Sequence, residues 1–356
     1  MVDRIKDILA TNTDLRRLTE QSLAQAHRRN PDPLTNPVQN LEQWLSYLER
    51  FLQRMPWQSL ALGEDISLFR RIDQCIGYFY FLIDQPLPRL DGRGYPYPSL
   101  QYEPRMAMWL RDYNKAWGER LNREDSWCEE SYRLALGDSR FQLNTDRYES
   151  PEHWHCWNDF FARRLRRPLP VSGKGLISPC DGVITNAPVK TASINRWTDL
   201  LGDSPYRHVF ADGDTFHITL DIYDYHRFHA PCTGQVLECK TIQGIHAGGG
   251  VIVWDETEHR YRYERIGATD FQMLETRGVL VLDTQDFGKM ALVSVGVQQV
   301  SSVVWDEYVQ VGADLHQGDE LGRFLFGGSD VVMMFEKGKA PSVAPDKSLK
   351  AGETLI

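Results

Sequence analysis

The sequence predicts an α+β protein, with a helical N-terminal domain followed by a mostly β barrel or sandwich. Three observations predict it. Apolar residues recur at three- and four-residue spacing until about residue 170. Beyond Pro170 that rhythm gives way to short runs rich in Val, Ile, Leu and Thr, bounded by glycine turns. The composition, 42% hydrophobic and 25% charged over 356 residues, is that of a folded globular chain long enough for two domains. The expected division is a helical domain over 1–150 and a second domain over 151–356.

The helical elements follow in order. Leu41, Trp44, Leu45, Leu48, Phe51, Leu52 and Met55 form one apolar stripe that Pro56 ends. Ile66 to Leu82 is apolar on most faces and reads as a buried helix. Gln85 to Leu100 carries Pro86, Pro88, Pro96 and Pro98 with Gly92 and Gly94, an extended connector. Helical spacing resumes at Met106, Leu110, Tyr113 and Trp117, and again over Ser126 to Leu136. Ser150-Pro151-Glu152 has the form of an N-cap, a first-turn proline and a first-turn acid, opening a helix through Trp154, Trp157 and Phe161. The aromatic residues of these helices are read as core, not as a cofactor box.

In the second half, Thr215–Ile222, Gly278–Asp283, Ala291–Val297 and Val331–Phe335 are β-type runs. Ser178-Pro-Cys-Asp-Gly-Val183 and Ala230-Pro-Cys-Thr-Gly-Gln-Val236 echo each other, as a sheet corner used twice would.

Charge and targeting patterns narrow the function classes. The uncharged run Gln74 to Ile83 is well short of the ~18 residues a membrane helix needs. Asp3, Asp7, Asp14 and Glu20 interrupt the N-terminus, so no secretory signal is expected. Six cysteines without a Cys-x-x-Cys pair read as reduced thiols of a cytoplasmic protein. A net charge of −9 argues against a nucleic-acid partner.

Three segments concentrate the chemistry: Ser178-Pro-Cys-Asp181-Gly, Asp224-Tyr-His226-Arg-Phe-His229-Ala-Pro, and Gly327-Gly328-Ser329-Asp330. Singly, each has an ordinary structural explanation: an Asp-Gly turn, two structural histidines, a hairpin before a strand. Together they supply acid, base and hydroxyl, the set needed to activate a serine. Gly-Gly-Ser lacks the Gly-x-Ser-x-Gly pattern of a nucleophile elbow, and it lies close to the end of the sequence. A metal-binding module using Asp181, His226 and His229 is the remote alternative, since two histidines and a carboxylate fit iron or zinc. His246 with Gly248-Gly-Gly250 has no helix pattern after it and reads as a flexible loop, not a phosphate cradle.

The order of these segments, with Leu321-Gly-Arg-Phe-Leu-Phe before Gly327, resembles the phosphatidylserine decarboxylase family of pyruvoyl enzymes. Trp157-Asn158-Asp-Phe-Phe161-Ala-Arg-Arg-Leu165 resembles the segment that precedes its catalytic domain. The helical region before it resembles the extra N-terminal domain of soluble relatives, including a fungal tryptophan decarboxylase. The resemblance implies a self-processing proenzyme: Asp181 orients His229, His229 deprotonates Ser329, and the chain is cut between Gly328 and Ser329. The products would be a large chain, 1–328, and a 28-residue small chain, 329–356, that carries a pyruvoyl group made from Ser329. That group would condense with a substrate amine as a Schiff base and accept the electrons released with carbon dioxide, without pyridoxal phosphate or metal. His226 would return the proton to the carbanion.

The family's phospholipid enzymes carry Leu-Gly-Ser-Thr at the cut, whereas its soluble amino-acid decarboxylases carry Gly-Gly-Ser-Ser. Gly327-Gly328 therefore points to a free L-amino acid, such as tryptophan, as substrate; phosphatidylserine is the alternative. Asp330 has no counterpart in either pattern; it could slow the cut, place a carboxylate near the pyruvoyl group, or favour a cationic substrate. Membrane contact belongs only to the phospholipid alternative. Its candidate is Phe160-Phe161 with Arg163, Arg164, Arg166 and Arg167, where a cationic helix end with inward aromatics is the favoured reading. A homodimer is expected from the commonness of two-fold assemblies.

Overall fold

The structure is a computed structural model that describes residues 1–58, 67–171, 173–186, 197–248, 250–265, 272–343 and 346–356. The described helices are α1 (Val2–Thr11), α2 (Thr13–Arg29), α3 (Leu41–Phe51), α4 (Leu68–Phe81), α5 (Pro104–Arg120), α6 (Glu129–Gly137) and α7 (Trp157–Phe161). The strands are β1 (Gly182–Asn186), β2 (Thr215–Leu220), β3 (Arg227–His229), β4 (Gly234–Ile242), β5 (Gly250–Asp255), β6 (Arg260–Arg265), β7 (Thr276–Thr284), β8 (Gly288–Val297), β9 (Val304–Trp305), β10 (Asp314–Leu315), β11 (Glu320–Arg323), β12 (Gly328–Phe335) and β13 (Ser348–Leu349). The chain divides into two compact units, one of residues 1–139 and 245–271, the other of residues 140–244 and 272–356.

The first unit is helical with one hairpin. Trp44, Tyr47, Leu48 and Phe51 on α3 are buried, and the Asn40 side chain caps the helix by accepting from the Gln43 amide. Phe51 packs on Phe79 at 4.8 Å and Trp117 at 5.1 Å between ring centroids. The aromatic stripes are thus core, as read from the sequence. The start expected for α4, Ile66, lies outside the described residues. The β5–β6 hairpin lies against α4, where Gly77 approaches so closely that an added Cβ would be 3.0 Å from that of Tyr261. Gln74 pairs with the Tyr261 backbone in both directions, donating to its carbonyl at 2.8 Å and accepting from its amide at 2.7 Å. A side chain here does the work of a neighbouring strand.

The second unit is built on an eight-stranded antiparallel sheet in the order β10-β4-β7-β8-β12-β2-β1-β13. A three-stranded sheet, β3-β11-β9, contributes Phe228 and Leu321 to the same core as Phe216, Ile218, Leu292, Val331 and Met333. The sheet does not close into a barrel; the expected barrel or sandwich is two open sheets sharing a core. Strand β12 lies inside the large sheet, between β8 and β2, and begins at Gly328. The Gly-Gly-Ser segment is therefore not a hairpin ahead of a strand but the strand's own start.

The helix expected from Ser150 onward is interrupted. A 3-10 turn covers Pro151–His153, and α7 begins separately at Trp157, where Asp159 accepts from the His155 and Cys156 amides. The two echo segments do face each other: His229 donates its amide to the Pro179 carbonyl at 2.8 Å, and Ile177 donates to Pro231 at 3.0 Å. Cys180 and Cys232 are both core residues, and all six cysteines are free.

Candidate active site

Backbone hydrogen bonds bring the three chemical segments together. The His229–Pro179 bond ties the first to the second, and the Phe324 amide donates to the His226 carbonyl at 2.9 Å, tying the second to the third. The residues just before Ser329 are held again where the Phe326 amide donates to the Asn158 side chain at 3.1 Å. That contact gives the Trp157-Asn158 segment a local purpose: it aims the strand entry. Gly327 sits at φ +150°, and a Cβ there would lie 2.6 Å from the Val297 carbonyl oxygen, so the backbone itself requires glycine.

Ser329 is buried, and its Oγ is 3.4 Å from Nδ1 of His226. The other ring nitrogen of His226, Nε2, is 3.3 Å from the Ile222 carbonyl. A carbonyl only accepts, so Nε2 carries the proton and Nδ1 is left to accept from the serine hydroxyl. Phe161 stacks on the ring at 3.9 Å and 17°. Burial, aided by the Arg163 charge, pushes the His226 pKa down to about 3. The imidazole is neutral.

His229 follows the same rule with different partners. Its Nδ1 donates to the Gly318 carbonyl at 2.9 Å, leaving Nε2 to accept from the Tyr225 hydroxyl at 3.0 Å. Burial pushes its pKa down to about 4.

Asp181 is fully buried and meets three donors: Arg147 at 2.5 Å, Lys350 at 3.0 Å and the Ala351 amide at 2.9 Å. Burial alone would raise its pKa, but Arg147 and Lys350 outweigh it and hold the carboxyl below its usual range. Its charge acts on both histidines. The contacts thus differ from the implied order: the serine's hydrogen bond is to His226, while His229 is engaged by Tyr225 and Gly318, and Asp181 by two cations. The same engagements bear on the metal-module alternative. Both nitrogens of each histidine and both oxygens of Asp181 are in use, and no group of three potential ligands converges among the described residues.

Several participants were not marked as site residues by the sequence. Arg147 lies outside every quoted motif, yet its guanidinium also lies over the Tyr148 and Tyr225 rings at 5.2 and 5.8 Å. Arg163, expected on a cationic surface, is buried against Tyr148 and donates to the carbonyls of Tyr223 and Asp224. Phe160 and Phe161 are buried as well, so the aromatics of the candidate membrane segment face inward. Asp224 is pushed up to about 6 by burial, with the Asp181 charge adding to it.

A buried serine at the head of a strand, with glycine before it and a neutral imidazole on its hydroxyl, fits the precursor of a pyruvoyl group. A family model described as phosphatidylserine decarboxylase matches residues 157–356. Among curated proteins, the chain is 27% identical over 212 residues to the phosphatidylserine decarboxylase proenzyme of Fusobacterium nucleatum, covering 56% of this chain and 66% of the relative. It is 29% identical over 238 residues to the proenzyme of Saccharophagus degradans, covering 58% and 78%. It is 28% identical over 212 residues to proenzyme 2 of Oryza sativa, covering 55% of this chain and 32% of that one. The chain thus spans just under two thirds of the first of these relatives and about a third of the rice one.

Proposed function

This chain belongs to the phosphatidylserine decarboxylase family, and on that footing we propose that it is a self-processing proenzyme that matures into a pyruvoyl-dependent carboxy-lyase acting on phosphatidylserine. The observation that carries the reading is the buried Ser329 hydroxyl on His226, at a strand entry that only glycine can make.

The chemistry balances as follows. The Ser329 oxygen attacks the Gly328 carbonyl, and the amide becomes an ester as the Ser329 nitrogen is released. Elimination then removes the Cα proton of residue 329 and breaks the Oγ–Cβ bond, leaving a carboxylate on Gly328 and a dehydroalanine at 329 that tautomerises to an imine. Water replaces the nitrogen, which departs as ammonia, and a ketone remains at residue 329. That ketone, conjugated to an amide, supplies an electron sink for loss of carbon dioxide from an α-amino acid. The chain's own part is to bury the serine, hold its hydroxyl on His226 and keep both histidines neutral and oriented.

The substrate assigned here is the second of the two classes the sequence offered. Gly327 had pointed to a free amino acid, but its backbone angle and the Val297 carbonyl account for it without reference to substrate. Asp330 had pointed to a cationic substrate, but its carboxylate lies against His217 and Gln272. With those two features explained locally, the named relatives support the phospholipid.

Intact mass and carbon dioxide release test this. Wild type should separate into chains of 328 and 28 residues, the small one blocked at its N-terminus. Ser329→Ala should stay whole and inactive; cutting in that variant would remove the proposal. By the roles the family resemblance implies, His229→Ala should stay uncut and His226→Ala should be cut yet fail to decarboxylate; by the Ser329–His226 contact, the cut itself should need His226. The reverse result for the cut would make the His226 contact the working one. Cut wild type should release carbon dioxide from phosphatidylserine vesicles and not from free amino acids; turnover of tryptophan alone would restore the other substrate class.

A further inference from the structure

Residue 330 follows the serine at which the chain would be severed, and its side chain takes no part in the chemistry above. Successive residues of β12 face opposite ways. Val331, Met333 and Phe335 belong to the shared core, and Ser329 is in phase with them; Asp330 turns to the other face. There it is buried, with Oδ2 2.9 Å from Nε2 of His217 on β2 and 3.1 Å from the amide nitrogen of Gln272. Gln272 is itself held in place. Arg277 donates to the carbonyls of Met273 at 2.6 Å and Glu275 at 2.9 Å, fixing the turn that leads from Gln272 into β7, and to that of Leu200 at 3.1 Å. Trp197 lies 5.7 Å from the His217 ring.

A buried carboxylate is a poor source of net stability, because its desolvation offsets most of what its partners return. Its place in the strand suggests a positional purpose. Before the cut, residue 329 is held from both sides by a continuous chain. Afterwards it is a chain end, and chain ends fray unless tied down. Asp330 is the first side chain that can tie this one.

We propose that Asp330 is a positioning residue: held by the Gln272 side chain, with the His217 ring against it, on the far face of the sheet, it fixes the severed end that carries the reactive ketone. This rests on the self-processing reading above. The grip is needed after the cut and not before it, so its loss separates the two stages. Displacing a reacting group by about 1 Å costs on the order of 100-fold in rate.

The test compares wild type with Asp330→Ala, Asp330→Asn and Gln272→Ala, each as the full chain. Asp330→Ala should be cut at close to the wild-type rate by intact mass. The cut protein should then show kcat reduced by about 10- to 100-fold with KM little changed, and slower reaction of the ketone with phenylhydrazine. Asp330→Asn, which keeps an acceptor for Gln272, should recover most of that loss. Gln272→Ala, with one partner gone, should lie between, and it carries the test if Asp330→Ala does not accumulate. Wild-type kcat in cut Asp330→Ala, or in cut Gln272→Ala should that be the only variant obtained, would overturn the proposal; so would equal losses in the Asn and Ala variants. Failure of wild type to be cut at all would instead overturn the reading on which it rests.

Discussion

His226 and His229 illustrate how burial and two hydrogen bonds fix a titratable side chain more tightly than any motif. Each donates to a backbone carbonyl, Ile222 or Gly318, and each accepts from a hydroxyl, Ser329 or Tyr225. Burial disfavours the charged imidazolium of each more than the backbone carbonyl favours it. Both histidines therefore have folded-state pKa values, about 3 and about 4, below the unfolded value of ~6.5. The unfolded chain binds the extra protons, so their contribution to stability is present above ~6.5 and is lost as pH falls towards 4. Asp224 works the other way: its folded value of about 6 lies above ~3.9, so it favours the folded state as pH falls between those values. Asp181 adds to the acid loss only below its ordinary range. Asp84 acts as Asp224 does over a wider window, since burial pushes it up to about 8, and Asp221 and Asp306 are raised by burial too. Carboxyls and histidines therefore oppose one another between pH 7 and pH 5, each histidine supplying up to about 1.4 kcal/mol per pH unit of acid loss. His229→Gln should lose less stability than wild type when the pH falls from 7 to 5, read as urea midpoints; an unchanged difference would mean that the ring is protonated in the folded protein. The sequence displayed these histidines, the serine and Asp181 as residues but not their partners. Arg147 and Lys350 are distant in sequence and of the commonest surface types, so nothing local marks them as the cations on Asp181.

Among the elements, β12 shows most clearly how strand geometry serves chemistry. Its entry requires φ +150° at Gly327, with the Val297 carbonyl in the space a Cβ would fill. Gly327→Ala should cost roughly 1–3 kcal/mol of stability and slow the cut, since the entry that must shift carries the scissile bond. Gly338→Ala is the control: φ is +73° there with open space around it, so it should lose stability and still be cut at the wild-type rate. Equal cutting in both variants would detach the glycine from the chemistry. The four strands read from the sequence are present as β2, β7, β8 and β12, because central strands bury both faces and show as apolar runs. Helices α1 and α2 escaped notice because the first buries only Val2, Ile5 and Leu9 amid charged neighbours. Strand β6 reads Arg-Tyr-Arg-Tyr-Glu-Arg; its backbone pairs with β5, and the Gln74 side chain, far away in sequence, also meets the Tyr261 backbone.

At the scale of the whole molecule, the chain enters the helical unit twice, since residues 245–271 leave the β unit after β4 and return before β7. No pattern marked that excursion, because its signal is the partner and not the period. No helix among the described residues is long and apolar enough to cross a membrane. The position of β12 has one more consequence. The proposed small chain would supply an interior strand of the sheet and, through Lys350 and Ala351, two of the three groups on Asp181. In the uncut protein these parts find each other as one polymer; once severed, they must meet by diffusion. Maturation would thereby convert renaturation from a first-order event into a second-order one. Urea-denatured Ser329→Ala should regain its structure at a rate independent of dilution, whereas the processed enzyme should recover more slowly the more it is diluted. The reaction that equips the protein for catalysis would also be the one that it could not undergo twice.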